Sequence, residues 1–215
     1  MGLINYTELA SLRLQQINVC DLGSGIPKES FDLINNVRNA KVSLVDNKSI
    51  PEVDSVNFGN FLTSSELETE NPKSKYLSIK SNDFLYNEYL IHSLSNNQEY
   101  ISLSEFNMTI EKNYEIDVVN YLEKQSKEVF DVVIISKLLA NVSNDKKTAI
   151  MNRVPEIMKP NSLLFVRLNY LGYDNMDLVK PVKLIFETLK TIEEREEVIS
   201  STRQNKLITL KKYSM

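Results

Sequence analysis

Asp21, Gly23, Ser24 and Gly25 close an apolar run near the start of this sequence, and Asp46 stands 21 residues beyond Gly25. A glycine pair behind a strand permits a tight turn and a close approach of backbone to ligand. A pyrophosphate site wants a third glycine and a bare helix N-terminus to receive negative charge. Here the third position of Gly-x-Gly-x-x-Gly is Lys28. Asp21 adds a carboxylate two residues before Gly23, which repels phosphate and suits a cationic ligand. An acid ending the second strand, as Asp46 would, can accept hydrogen bonds from both hydroxyls of a ribose. The same residues have a plainer use, with the glycines serving only the turn and Asp46 capping a helix.

These groups need elements to hold them. Ile17 to Leu22 is a short, partly β-branched run ending at Gly23-Ser24-Gly25, as a buried strand entering a turn would. Pro27 suits the first turn of a helix, and Phe31, Leu33, Ile34 and Val37 extend it over about 27–38. Lys41 to Asp46 reads as the second strand, and a strand-helix-strand opening implies a parallel sheet. The stretch 47–98 is rich in Asn, Ser and Glu and long for a plain connection; it is expected to be an insertion or lid, with a helix around Phe84 to Leu94. A third strand is expected at Tyr100–Leu103 and a helix at Ile116–Lys124. Phe130 to Ser136 is the most strand-like run of the chain and should be the sheet centre. A helix over Asp145 to Met158 follows, capped by Ser143 or Asn144, with Pro155 expected to kink it or end it early. A turn over Met158 to Ser162 leads into a strand at Leu163–Leu168. A helix at about 178–192 and strands at Glu197–Ser200 and Lys206–Lys211 complete the chain, with Arg203-Gln204-Asn205 as a hairpin turn. The fold class is α/β, in one domain over 1–215.

Composition removes several kinds of chemistry. With 215 residues, 42% apolar and 25% charged, the chain can build a sizeable core. One cysteine, Cys20, excludes an intrachain disulfide or a thiolate cluster, and its apolar run makes it a small buried hydrophobe. One histidine, His92, leaves almost no room for imidazole metal sites or Ser-His and Cys-His catalysis, and no metal is expected. The net charge of −4 carries no long basic stripe, so nucleic acid is not indicated, although Arg203, Lys206, Lys211 and Lys212 could make a local basic groove. The acidic run Glu193, Glu194, Glu196 and Glu197 reads as a solvated face. No stretch approaches the roughly 18 apolar residues of a membrane span, and Met1 to Leu14 lacks the pattern of a secretory signal, so a cytoplasmic protein is expected.

The order of these parts resembles the class I S-adenosylmethionine-dependent methyltransferase family. Val19-Cys20-Asp21-Leu22-Gly23-Ser24-Gly25 looks like its first motif, Val45-Asp46 like its second and Phe130 to Ile135 like its central strand. Met158-Lys159-Pro160-Asn161-Ser162-Leu163-Leu164 looks like the Leu-Lys-Pro-Gly-Gly turn into strand five. The resemblance spans nearly the whole chain. It implies a Rossmann-like three-layer sandwich, whose mostly parallel seven-stranded sheet ends in a C-terminal antiparallel hairpin. It also implies S-adenosylmethionine as cofactor, which fits the cationic preference read from Asp21. On this resemblance Asp21, Gly23, Ser24, Gly25, Asp46 and Asn47 hold the cofactor. Glu105, Phe106 or Asn107 after the third strand would contact adenine, and Ser136 and Lys137 the methionine portion.

Attack on a sulfonium methyl is a displacement with an activated leaving group, so positioning can supply most of the acceleration. If the acceptor must lose a proton, a base is needed within hydrogen-bond reach; the candidates are Tyr170 first, just after strand five, then Tyr6 and His92. Ser136-Lys137-Leu138-Leu139 is not the Asn/Asp-Pro-Pro-Tyr/Phe motif of base and glutamine amino methylation. Arg167 stands where a lysine of the ribose 2′-O tetrad would be sought. A small-molecule acceptor is expected. Gly23 to Pro27, Phe130 to Asn141, and Leu163 to Arg167 with Lys180-Pro181-Val182 are also similar to nicotianamine synthase, which transfers the aminocarboxypropyl arm. A third reading is a non-catalytic methyltransferase-like binding module.

Overall fold

The computed structural model describes residues 3–25, 27–37, 39–48, 92–93, 98–99, 109–136, 138–171, 189–200 and 203–214. Its elements are α1 (Tyr6–Ser11), β1 (Ile17–Leu22), α2 (Lys28–Asn36), β2 (Ala40–Val45), β3 (Ile110–Asn113), α3 (Val118–Lys124), β4 (Phe130–Ser136), a 3-10 turn at Leu138–Ala140, α4 (Asn144–Ile157), β5 (Met158–Leu171), β6 (Leu189–Ser200) and β7 (Arg203–Lys212). Seven strands form one sheet in the order β3-β2-β1-β4-β5-β7-β6. The first five are parallel, and β7 runs antiparallel between β5 and β6. This is the Rossmann-like α/β sandwich expected. Apart from the sheet, His92–Ser93 pairs antiparallel with Gln98–Glu99.

Alternation along the strands sorts the core into two faces. Ile17, Val19, Val132, Ile134, Leu163 and Phe165 pack with Leu9 of α1 and Leu33 and Ile34 of α2. Cys20, Leu22, Val133, Ile135, Leu164 and Val166 pack with Leu122 of α3 and Ile150, Val154 and Ile157 of α4. Central strands β1 and β4 are covered on both faces, which is why they read as continuous apolar runs. Ser143 caps α4 by accepting the Lys146 N–H, and Asp117 caps α3 by accepting that of Val119.

Several boundaries differ from the sequence reading. The strand beside β2 is Ile110–Asn113, not 100–103, which lies outside the described residues. An edge strand with its two central residues exposed carries no apolar alternation to find. Pro27 sits at the N-cap of α2, one position before the helix. Pro155 does not end α4, which runs on to Ile157. There the Lys212 ammonium donates to the carbonyls of Pro155 and Met158 at 3.0 and 2.6 Å, satisfying the helix end and its dipole.

The turn expected over Met158 to Ser162 is a bulge inside a longer strand. Phe130 pairs with Met158 and Val132 with Leu163, so 159–162 stand opposite Asp131 alone. Lys159 from this bulge reaches the buried Asp131 carboxylate at 2.9 Å, and Asn18 donates its N–H to the same group at 2.9 Å. Strand β6 begins at Leu189, where the helix over 178–192 was expected to continue; the earlier part of that helix, like residues 84–91 and 94 of the helix expected around Phe84 to Leu94, lies outside the described residues. His92, expected in a helix, is in the short antiparallel pair. Arg203-Gln204-Asn205 is strand, not turn, because it pairs with Leu171, Tyr170 and Asn169 of β5.

Helix α1, not expected from the sequence although Asn5 and Glu8 have the spacing of a helix start, closes one face, with Asn5 accepting the Glu8 N–H as its cap. Asn5 donates to Glu193 at 2.7 Å, Arg195 donates to the Leu3 carbonyl at 3.3 Å and Glu8 faces Lys211 at 3.7 Å. Of the cations considered for a basic groove, Lys206 pairs with Glu194 at 2.7 Å and Lys212 with Glu128 at 3.7 Å, and the side chain of Arg203 lies outside the described residues.

Candidate functional site

Parallel strands deliver their C-terminal ends to one edge of the sheet, and the order β2-β1-β4 reverses direction there, which is where such sheets bind ligands. Gly23 and Gly25 carry the chain from β1 into α2 with φ of +67° and +49°, a region L side chains avoid. Leu138 comes so close to Gly23 that an added Cβ would lie 2.8 Å from its Cδ1, whereas a Cβ on Gly25 would meet nothing within 4 Å. The turn is fastened to β2. The Gly23 and Ser24 N–H groups donate to the Val45 carbonyl at 2.8 and 3.1 Å, and the Gly25 N–H to Asp46 Oδ2 at 3.0 Å.

Asp46 is half-buried just past β2, and its Oδ1 accepts the Lys48 N–H at 3.0 Å, turning the chain at the exposed Asn47. Each carboxylate oxygen has a second lone pair to offer. Asp46 is also bonded through its backbone to the edge strand, its N–H donating to Asn113 and its carbonyl accepting from Ile116.

Asp21 lies beneath the turn, 1% exposed. Ser30 of α2 donates its hydroxyl to Asp21 Oδ2 at 2.5 Å, and Oδ1 has no partner among the described residues. Burial, and less strongly the Glu29 and Asp46 carboxylates, push its pKa up to about 7 against the Ser30 bond that lowers it. Ser136, at the end of β4, donates to Glu29 Oε1 at 3.3 Å, and Arg167 of β5 donates to the same oxygen at 2.5 Å. Glu29 and Arg167 are 11% and 13% exposed, a nearly buried ion pair between α2 and β5.

Two residues at this edge were missed in the sequence reading. Asn113 ends β3 and Tyr114 follows it; the Asn113 Nδ2 and the Tyr114 hydroxyl are buried with no partner among the described residues. Burial first, then Asp46 and Asp21, push the Tyr114 hydroxyl up to about 12, so it is a neutral donor at physiological pH. The Ser24 hydroxyl is buried and without a partner among the described residues as well. The cue was available only through strand pairing: once Ile110–Asn113 is the neighbour of β2, Asn113 and the residues after it lie beside Asp46.

The remaining candidates scatter. Glu105, Phe106, Asn107 and Lys137 lie outside the described residues. Tyr170 is not in a loop after strand five. It is the penultimate residue of β5, opposite Gln204, because pairing with β7 carries that strand four residues beyond the pair Ser136–Arg167. Tyr6 is drawn to the flank of α2, donating to Asp32 at 3.3 Å and accepting from Asn36 at 3.2 Å, far along the helix from the turn.

No protein-family model and no curated protein matches this sequence. Solved structures do match it in fold. The 1,6-didemethyltoxoflavin-N1-methyltransferase of Burkholderia thailandensis, with S-adenosylhomocysteine bound, aligns over 97% of this chain and 76% of its own at TM-score 0.55 and 10% identity. The N-methyltransferase NodS of Bradyrhizobium japonicum aligns over 97% of this chain and 87% of its own at TM-score 0.54 and 11% identity. A SAM-dependent methyltransferase of Methanosarcina mazei aligns over 96% and 98% at TM-score 0.53 and 13% identity. The fold is that of the class I S-adenosylmethionine-dependent methyltransferases.

Proposed function

We propose that this protein is an S-adenosylmethionine-dependent methyltransferase acting on a small-molecule acceptor, a single cytoplasmic domain with 47–98 inserted between β2 and β3. One observation carries the reading. Around a positive-φ glycine turn bonded to the end of β2 lie four buried polar atoms without partners among the described residues, namely Asp21 Oδ1, Ser24 Oγ, Asn113 Nδ2 and the Tyr114 hydroxyl. Buried polar groups left unpaired cost about 1–3 kcal/mol each, so their clustering at a ligand-binding edge supports a polar ligand that pairs with them. The donor set fits a cationic nucleoside: carboxylates for positive charge and ribose hydroxyls, and an amide and a phenol for a base edge.

In this reading Gly23, Ser24 and Gly25 lie against the ligand, Asp46 and Asn47 take the ribose, and Asn113 and Tyr114 join Glu105 and Phe106 at the base. Ser136 faces the methionine end. S-adenosylmethionine supplies a methyl group already activated by the sulfonium. The chain therefore has to bind, orient and exclude water, and Tyr170 is the base where an acceptor must lose a proton. Among the described residues no helix is long and apolar enough to cross a membrane.

The test is calorimetric titration with S-adenosylhomocysteine, followed by product analysis. Binding with S-adenosylhomocysteine as product upholds the proposal. Methylthioadenosine as product would instead establish aminocarboxypropyl transfer, and absence of binding would leave a non-catalytic module.

A further inference from the structure

We propose that Asp21 is the proton-linked group of this site: it holds a proton in the ligand-free protein and releases it to solvent when a positively charged ligand settles over the glycine turn. The inference rests on the cofactor reading above and adds a charge balance to it. Asp21 is 1% exposed, with one oxygen bonded to the Ser30 hydroxyl and the other unpartnered among the described residues. Every described titratable group around it opposes ionisation or is neutral. Glu29 approaches from α2, Asp46 from the end of β2, Cys20 is its buried neighbour on β1, and the Tyr114 hydroxyl lies beyond Asp46. Arg167, a described cation on this side of the sheet, is paired with Glu29 at 2.5 Å.

A carboxyl so placed is held protonated below about pH 7 for want of a counter-ion, and a pKa of about 7 lets a modest change in its field decide its state. A ligand cation reverses the balance. The carboxylic acid loses its proton to solvent, the carboxylate left behind faces the incoming charge, and the net charge of the complex stays that of the separate partners less one proton. A site of this kind favours charged over neutral nucleosides, and does so more strongly as pH rises.

Calorimetry of the full chain at pH 6, in buffers of different ionisation enthalpy, counts the protons. The amine of S-adenosylmethionine is already protonated at that pH and contributes none. S-adenosylmethionine should release more than about half a proton per site, and neutral adenosine none. Ser30→Ala removes the bond that favours the ionised form, so its release should move to higher pH; Asp21→Asn should abolish release in whatever binding it keeps. Binding of S-adenosylmethionine without proton release, equal release with adenosine, or a Ser30→Ala profile identical to the parent would each overturn the inference while leaving the cofactor reading intact. Failure of the parent protein to bind S-adenosylmethionine would overturn both.

Discussion

Asp46 Oδ2 accepts the Gly25 N–H at 3.0 Å, so the acid that closes β2 and the turn that leaves β1 form one hydrogen-bonded unit. Asp46→Ala should weaken S-adenosylhomocysteine binding by roughly 1–3 kcal/mol, since it frees the turn and deprives the ribose of its acceptor. Asp46→Asn keeps an acceptor oxygen and should lose less. Equal dissociation constants for the parent and the alanine variant would remove Asp46 from the site.

The two glycines should respond differently to the same methyl group. Gly23→Ala meets Leu138 at 2.8 Å as well as a φ of +67°, and should cost about 2–4 kcal/mol of stability. Gly25→Ala meets no atom and should cost about 1–2 kcal/mol from its φ of +49° alone. Its larger effect should fall on ligand affinity. Urea unfolding and calorimetry on both variants separate the two, and matched stability losses would contradict the packing assigned to Leu138.

Tyr114→Phe removes a buried hydroxyl that no described residue satisfies. Stability should hold or rise by about 1 kcal/mol, while affinity for S-adenosylhomocysteine falls by a similar amount. A stability loss with unchanged affinity would make the hydroxyl structural.

Stability should fall with rising pH because of Asp21. Its carboxyl is pushed up to about 7 in the native state and ionises near 3.8 when unfolded. Between those values the native protein holds a proton the unfolded chain has lost, so stability declines by at most ~1.4 kcal/mol per pH unit and levels off above the native value. Asp21→Asn cannot ionise and should show a shallower decline from pH 5 to pH 8. Parallel curves for the two proteins would sink this assignment.

Removing one partner of the Glu29–Arg167 pair should be worse than removing both. Glu29→Met or Arg167→Met leaves a nearly buried charge alone and should cost about 3–5 kcal/mol, whereas the double methionine variant should lie close to the parent. Additive losses in a double-mutant cycle would refute the coupling.

Parts of the fold with a strong physical signature were legible from residues alone. Ile17 to Leu22 and Phe130 to Ser136 are buried on both faces, so their side chains declare the strand. Asn161, standing where the family pattern has glycine, adopts φ of +62°, which asparagine tolerates better than most residues; the substitution preserves the bend. What escaped was set by partners distant in sequence. Ile110–Asn113 is a strand because β2 lies beside it, and Tyr170 and Arg203 are strand because they lie opposite residues of β7 and β5. The glycine turn and Asp46 were visible in the spacing, but Asn113 and Tyr114 were not, since their place beside the turn depends on that same edge pairing.

The bond between Asn5 and Glu193 joins residues 188 apart, and the strand that binds β5 to β6 is the last of the sheet to be made. During synthesis the first helix can meet β1 and α2 early, but its bonds to β6 and β7 must wait until those last two strands have been made. Leu3, Ile4 and Leu9 share one apolar layer with residues as distant as Leu163, Phe165 and Leu207, so its completion is a late, long-range event of the kind that slows folding.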